Sequence, residues 1–299
     1  MISSTVAAVV VTYNRINLLK RTIASLNTQQ HALSSIIVIN NSSTDGTKEW
    51  LKEQPELIVL ELENRGGAFG FYTGIKEAYS RGFEWIWCMD DDGYPDKFAL
   101  QELFRYKHHS PCVMNSLVLD EDNHDLMSFK IGNYTHRRDI VESELINGEA
   151  NFFNGTFLHY EIIKDVGFPL SDLVIWGDES EYFNRIKYAY KFPLFTVISS
   201  LHYHPSAGKN FYLKNWDVKI DWRPYFFVRN KIFVYSSRYK YQFFIYGYYL
   251  LFLIVFLGTI ILFQRQQHAI KLKLFFIAAI DGLKKNTSKS ILDIKNLSS

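Results

Sequence analysis

The sequence predicts an α/β protein with a mostly parallel central sheet, followed by a C-terminal α-helical region that associates with membranes. Three observations predict it. Over the first hundred residues, β-branched runs alternate with segments of helical periodicity, the pattern of βαβ units. The early runs are apolar throughout, as strands buried on both faces are. Gln242 to Gln264 carries no charged residue, and a helix needs only ~20 residues to cross a bilayer.

Each element can be justified in order. "VAAVVVTY" (Val6 to Tyr13) reads as a buried strand and "NLLKRTIASLNTQ" (Asn17 to Gln29) as an amphipathic helix. "SIIVIN" (Ser35 to Asn40) is a second buried strand, and Ser43 to Thr47 supply turn and cap chemistry for the next helix. "LIVLEL" (Leu57 to Leu62) is a third strand, and Ala68 to Gly82 a helix closed by glycine. "EWIWCM" (Glu84 to Met89) is a fourth strand, after which Pro95 is expected to start a helix. Asp120 to Glu149 is polar and reads as an insertion or flexible loop. "NFFNGTFLHY" is a strand, Glu181 to Tyr190 a helix, Leu194 to Ser200 a strand, and Trp222 to Tyr239 an aromatic helix. Lys271 to Lys285 reads as a basic amphipathic helix. The expected division is a catalytic domain over 1–220, its halves meeting near 110, and a helical region over 221–299 with the apolar segment 242–264.

Composition narrows the function. With 33 Lys plus Arg against 31 Asp plus Glu, the net charge of +2 excludes nucleic-acid binding by bulk charge. Cys88 and Cys112 cannot form a disulfide framework and are not spaced as a metal pair. Both sit in apolar runs, which predicts buried free thiols. The aromatic fraction of 16% is core payload or a platform for sugars or bases. Met1 to Thr5 has no basic stretch of the kind that opens an export signal, so the folded part is expected to meet cytosolic metabolites.

In an open α/β sheet the ligand loops leave the C-terminal strand ends. Here these are Thr12 to Arg15, Asn40 to Thr47, Glu63 to Gly67 and Asp90 to Pro95. Asp90-Asp91-Asp92 offers hard oxygen ligands to Mg²⁺ or Mn²⁺, or it is a solvated turn with Asp92 or Asp96 capping a helix. "WGDESEY" (Trp176 to Tyr182) gathers Asp178, Glu179 and Glu181, either as a proton acceptor or as charge complementing a helix dipole. "HYHP" (His202 to Pro205) can supply an imidazole to a mixed metal shell or be structural. "NRGGAFGF" (Asn64 to Phe71) brings two glycines before a helix, where amides can approach an anion, or is only a turn. "NNSSTDGT" (Asn40 to Thr47) can read a base or ribose, or form an Asx turn.

"VVVTYNR", "VINNSSTDGT", "ENRGGAFGFYTGI", "CMDDDGYPD" and "WGDESEY" occur in the order seen in family 2 glycosyltransferases of the GT-A fold. The doubled glycine followed by Gly-Phe-Tyr most resembles the bacterial galactofuranosyltransferase and rhamnosyltransferase-like branch, over roughly Val6 to Asn230. The resemblance implies Asp90 and Asp92 as ligands of Mn²⁺ or Mg²⁺, with His204 completing the shell and His202 as fallback. It maps nucleotide contacts to Thr12, Tyr13, Asn14, Arg15, Asn40, Asn41, Asn64, Gly66 and Gly67, and Asp91 is placed with them. The family often has Asp where Asn40 stands, and Asn can still read a pyrimidine edge. The family's base falls on Glu179, with Asp178 as rival. The Gln-x-x-Arg-Trp motif of processive synthases is absent, and "DWRPYFFVRN" (Asp221 to Asn230) resembles the Tyr and Arg-Asn segment of the galactofuranosyl-like branch.

The implied reaction is inverting transfer of a sugar from a nucleotide diphosphate sugar to a hydroxyl of a growing bacterial cell-surface glycan. UDP-galactofuranose is the first donor by resemblance and dTDP-rhamnose the second, with a lipid-linked or oligosaccharide acceptor. Trp176, Tyr182 and Trp222 are candidate sugar-stacking surfaces. The tail is expected to lie monotopically on the cytoplasmic face of the inner membrane, its lysines Lys271, Lys273, Lys284 and Lys285 at an anionic surface. Burial against a second copy of the chain is an alternative. Rival functions are a non-catalytic nucleotide-sugar binding or scaffold protein, and a sugar nucleotidyltransferase.

Overall fold

The computed structural model describes residues 4–141, 143–205, 215–218 and 220–298. The chain divides into two compact units, described separately below. The first comprises 1–64, 70–168 and 190–207; the second comprises 65–69, 169–189 and 208–299. The division therefore differs from the single cut expected near residue 220, because the acidic segment groups with the C-terminal helices.

The first unit is built on one sheet. Strands β1 (Val6–Thr12), β2 (Ser35–Asn40), β3 (Ile58–Glu61) and β4 (Trp85–Asp90) run parallel, with β1 between β2 and β4. Every residue of β1 is buried, as its unbroken apolar sequence demands. Helix α1 (Ile16–Asn27) lays Leu19, Thr22, Ile23 and Leu26 on the sheet at the spacing of one helical face. Short α2 (Thr47–Lys52) and longer α3 (Gly67–Ser80) complete the βα repeats.

Beyond β4 the sheet turns mixed. Pro95 does not open a helix. It lies in the short strand β5 (Tyr94–Pro95), and α4 (Ala99–Phe104) starts later. Asp96 receives the amide of Phe98 on its side chain, so the turn chemistry sits one residue past the proline. Strand β6 (Val113–Asp120) carries a hairpin, β7 (Leu126–Ile131) and β8 (Tyr134–His136), and β9 (Leu145–Asn147) follows. The segment read as an insertion or flexible loop therefore contains three short strands. Met127, Ile131 and Ile146 are its inward residues and pack with Leu117 and Leu119, which repays the strands' ordering. Strand β10 (Asn154–His159) runs antiparallel between β4 and β6, and Phe157 faces Trp87 and Met114. Helix α5 (Tyr160–Val166) follows it, and β11 (Leu194–His204) returns parallel to β6, four residues longer than expected. Cys88 and Cys112 are free and buried.

The second unit is helical. It holds α6 (Asp178–Asn184), which widens into a π turn over Arg185–Tyr190, then α7 (Arg223–Arg238), α8 (Gln242–Phe263), α9 (His268–Leu283) and α10 (Ile291–Ser298). Its core joins Tyr225, Phe226 and Ile232 of α7 to Leu274 and Phe275 of α9. Helix α8 contributes one stripe, Ile245, Tyr249, Leu253, Phe256 and Ile260, at near-helical spacing. The rest of α8 is apolar and exposed, with Leu250, Leu251, Ile254 and Val255 on its outer face. Helix α8 is the one described helix long and apolar enough to cross a membrane.

Candidate active site

In the first unit, the loops leaving β1, β2 and β4 are tied together by their own side chains. Asn14 and Ser42 adopt left-handed backbone angles (φ 54° and 59°), which reverse the first two loops sharply. The Asn14 amide donates to Ser43 Oγ at 2.9 Å, and the Thr44 amide donates to Asn14 Oδ1 at 2.7 Å. Asp45 receives the Ile16 amide at 2.9 Å and the Thr47 hydroxyl at 2.6 Å, which starts both α1 and α2. Tyr13 stands out of this framework, about half exposed.

The three consecutive aspartates have three different surroundings. Asp90 closes β4, opposite Val11 of β1, so strand pairing sets its direction. Asp91 is buried; Thr12 donates to it at 2.7 Å and Arg15 at 3.1 Å. Burial pushes its carboxyl upward, and the Thr12 bond and the Arg15 charge oppose that rise. Asp92 lies in the turn, with Arg15 Nη1 2.5 Å from Oδ2 and His204 Nε2 3.2 Å from Oδ1. Burial works against its ionisation, but the adjacent His204 ring and the Arg15 charge outweigh it, and its carboxyl is held below the usual range. Helix α1 fixes the turn's backbone. Thr22 Oγ1 lies within hydrogen-bond reach of the carbonyls of Asp91 and Gly93, and Arg21 donates to the Asp92 carbonyl at 2.9 Å.

His204 and His202 separate clearly. His204, at the end of β11, faces Asp92. His202 is fully buried, its ring close to Gly93 and Gly155, with neither ring nitrogen hydrogen-bonded. Burial lowers its pKa to about 3, helped by His204 and opposed by Asp92, so it is a neutral core imidazole.

The residues can be tested against a divalent cation. Asp92 Oδ1 is a buried acceptor outside hydrogen-bonding geometry, and it faces an imidazole nitrogen 3.2 Å away. Adjacent ligands around an octahedral Mg²⁺, each at about 2.1 Å, lie roughly 3 Å apart. Asp92 and His204 thus fit as two neighbouring ligands, leaving the remaining positions for water or phosphate oxygens, as such ions usually require. The expected trio with Asp90 does not assemble: no cluster of three His, Cys, Asp or Glu side chains gathers among the described residues.

The nucleotide-facing candidates also differ from expectation. Asn40 is fully buried, with Oδ1 receiving the Ser43 amide at 3.1 Å and Nδ2 donating to both Glu61 oxygens at 3.1 Å. Its carboxamide edge is consumed within the protein. Asn41 is the residue with an acceptor to spare, since its buried Oδ1 has no partner. Asn64 belongs to the first unit and Gly66 and Gly67 to the second. Gly66 (φ 97°) lies so close to the Val174 carbonyl that a Cβ would collide with it, whereas a Cβ on Gly67 would meet nothing within 4 Å.

In the second unit, the acidic residues open α6. Asp178 is 4% exposed and Glu179 is half-buried. Burial raises both carboxyl pKa values; for Glu179 the neighbouring Asp178 carboxylate adds to the rise, and backbone amides at the helix start oppose it in both. Glu181 is committed to Arg185, 2.9 Å away. Tyr182 is fully buried and offers no stacking face to a sugar. Trp176 and Trp222 are half-buried, with Arg223 over the Trp176 ring at 5.0 Å and Phe226 against Trp222.

Sequence reasoning missed Arg21, Thr22 and Glu61. Nothing in a single sequence marks a helix residue that braces a turn about seventy positions away.

Residues 7–158, just over half of the chain, match the family model described as glycosyl transferase family 2. Galactofuranosyltransferase GlfT1 of Mycolicibacterium smegmatis is 29% identical over 225 residues, covering 69% of this chain and 72% of that protein. Poly-beta-1,6-N-acetyl-D-glucosamine synthase of Staphylococcus aureus is 25% identical over 172 residues, covering 54% of this chain and 41% of that protein. A mannosyltransferase from Pyrobaculum calidifontis, solved with GDP-Man and Mn²⁺, shares the fold at a TM-score of 0.55 and 14% identity, over 94% of this chain and 87% of that one. S. aureus TarS does so at 0.55 and 12% identity, over 98% of this chain and 55% of that one. The sheet order, the loops at its ligand edge and these likenesses agree, and the chain belongs to glycosyl transferase family 2, with the GT-A fold and glycosyltransferase activity.

Proposed function

We propose that this glycosyltransferase is metal-dependent and inverting, and that it moves galactofuranose from UDP-galactofuranose to a hydroxyl of a lipid-linked or oligosaccharide acceptor of a cell-surface glycan. The observation that carries the metal dependence is the Asp92–His204 pair, a buried carboxylate oxygen outside hydrogen-bonding geometry beside an imidazole nitrogen. Likeness to the mycobacterial galactofuranosyltransferase supports the sugar, and dTDP-rhamnose is the alternative.

Asp92 and His204 would hold Mn²⁺ or Mg²⁺. The ion, when bound, neutralises charge on the departing diphosphate. Arg15, bonded to Asp91 as well, keeps the Asp92 carboxylate in place. Asn41 Oδ1 accepts a hydrogen bond from the pyrimidine edge. Glu179 takes the acceptor proton as its oxygen bonds to the anomeric carbon. The bond to the nucleoside diphosphate breaks in the same displacement, which inverts the centre.

The exposed apolar face of α8, with Phe276, Ile280 and Leu283 of α9, supports a monotopic seat on the cytoplasmic face of the inner membrane. Exposed Lys273, Lys284 and Lys285 are the cations available to anionic headgroups. Lys271 is not among them, because it is buried and bonded to Asn215 at 2.8 Å.

The test is a panel of nucleotide sugars assayed for transfer with Mn²⁺ and with excess EDTA. Turnover selective for UDP-galactofuranose and lost in EDTA is expected. Full turnover in EDTA would remove the metal from the proposal, and selectivity for another donor would remove the sugar.

A further inference from the structure

The loop that leads into α6 is held in a costly conformation. Leu173, Val174 and Ile175 form a γ-turn, closed by the Ile175 amide donating to the Leu173 carbonyl at 2.8 Å, with Val174 at φ 69°, ψ −64°. That geometry is rare, and for a β-branched residue it is strained. Trp176 (φ 55°) and Gly177 (φ 125°), the two residues before α6, also hold positive φ angles. Such strain, of order 1–3 kcal/mol per residue, persists only where surrounding contacts over-determine it.

The contacts here come from two adjacent residues of α7. Arg229 is fully buried, and its Nη2 donates to the carbonyls of Asp172 at 2.9 Å and Leu173 at 3.2 Å. Its Nε donates to Asn230 Oδ1 at 2.9 Å, which fixes the carboxamide's orientation. Asn230 Nδ2 then faces the loop, within hydrogen-bond distance of the carbonyls of Leu173 (2.8 Å), Ile175 (3.0 Å) and Trp176 (2.9 Å). A Cβ on Gly177 would come to 3.0 Å from that of Asn230, so loop and helix are in close contact. The Arg229 guanidinium pairs with no carboxylate among the described ion pairs, although burying a cation is expensive. A buried cation spent on main-chain carbonyls fixes a backbone path.

We infer that Arg229 and Asn230 are positioning residues for the base: the guanidinium orients the carboxamide, and the carboxamide holds the strained turn so that Glu179 begins α6 in the orientation proton transfer needs. The inference rests on Glu179 being the base, as proposed above.

The test is a double-mutant cycle. Asn230→Asp keeps the volume and can pair with Arg229, but it turns an acceptor toward three carbonyls. It should lower kcat about 10²-fold, the scale of a misplaced catalytic group, with the donor KM within about two-fold, and it should displace the acid limb of the pH–rate profile. In a Glu179→Gln background the same change should cost little more, because both act through one group. Wild-type turnover by folded Asn230→Asp, with Glu179→Gln slow, would overturn the positioning role and leave the base standing. A full additional loss on the Glu179→Gln background would overturn it too. Near-normal turnover by Glu179→Gln instead sinks the base. Arg229→Lys covers a failure to fold: it keeps the charge but cannot bridge carboxamide and carbonyl together. Its Ile175 amide should exchange with deuterium faster than in the wild type, with turnover reduced. Unchanged protection and turnover would overturn the inference.

Discussion

At the residue scale, the raised Glu179 pKa makes two opposite demands on one carboxylate. As a base it must be ionised, so transfer should rise with pH through its titration, and Glu179→Gln should cost about 10²–10⁴-fold in turnover and lose that limb. For stability the sign is reversed. The folded pKa lies above the unfolded one, so between the two the folded state holds a proton that the unfolded state has released. Stability therefore falls as pH rises through that window, and the penalty remains above it. Calorimetry should find Glu179→Gln melting higher than wild type above neutrality and equal to it near about pH 4; a lower melting point at alkaline pH would contradict the burial penalty. In the first unit, Thr12→Val removes the hydroxyl that satisfies buried Asp91. It should cost about 1–3 kcal/mol, read by denaturant unfolding. Asp92→Ala should leave the fold intact and reduce metal-supported transfer by about 10²-fold or more.

At the element scale, what could be read in advance follows from where the information lies. Strands β1, β2 and β4 announce themselves, because a strand buried on both faces has few polar positions to blur it. The hairpin of β7 and β8 was hidden, since β7 buries Met127, Ser128 and Ile131 without strict alternation and β8 has three residues, none of them buried, too little pattern to separate from a loop. The reversal of β10 is a matter of pairing, which no local pattern encodes. The same holds within the site. The aspartate run and the histidine pair were visible as residues. The choice of His204 over His202 depends on where β11 meets the turn after β4, and the Asn40–Glu61 bond joins residues from adjacent strands. Gly66 shows a sequence signal that proved physical: Gly66→Ala would force a Cβ into the Val174 carbonyl at a positive φ. It should cost more than the ~1–3 kcal/mol of left-handed strain alone, measured as a drop in denaturation midpoint.

At the scale of the whole molecule, the apolar face of α8 should decide where the protein resides. Flotation with vesicles containing anionic lipid should carry the wild type upward, and replacing exposed Leu251 and Ile254 with Glu should leave it at the bottom of the gradient, with the core stripe untouched. Equal flotation by both would place the membrane contact elsewhere. The buried cysteines add an experimental handle. Burial pushes the Cys112 thiol up to about 12 and Cys88 higher still, so neither is a thiolate in the native sheet. Maleimide should therefore ignore the folded enzyme, and its slow uptake would time the opening of the sheet itself. A single cysteine placed on the outer face of α8 could then be labelled alone, without first stripping the natural thiols from the chain.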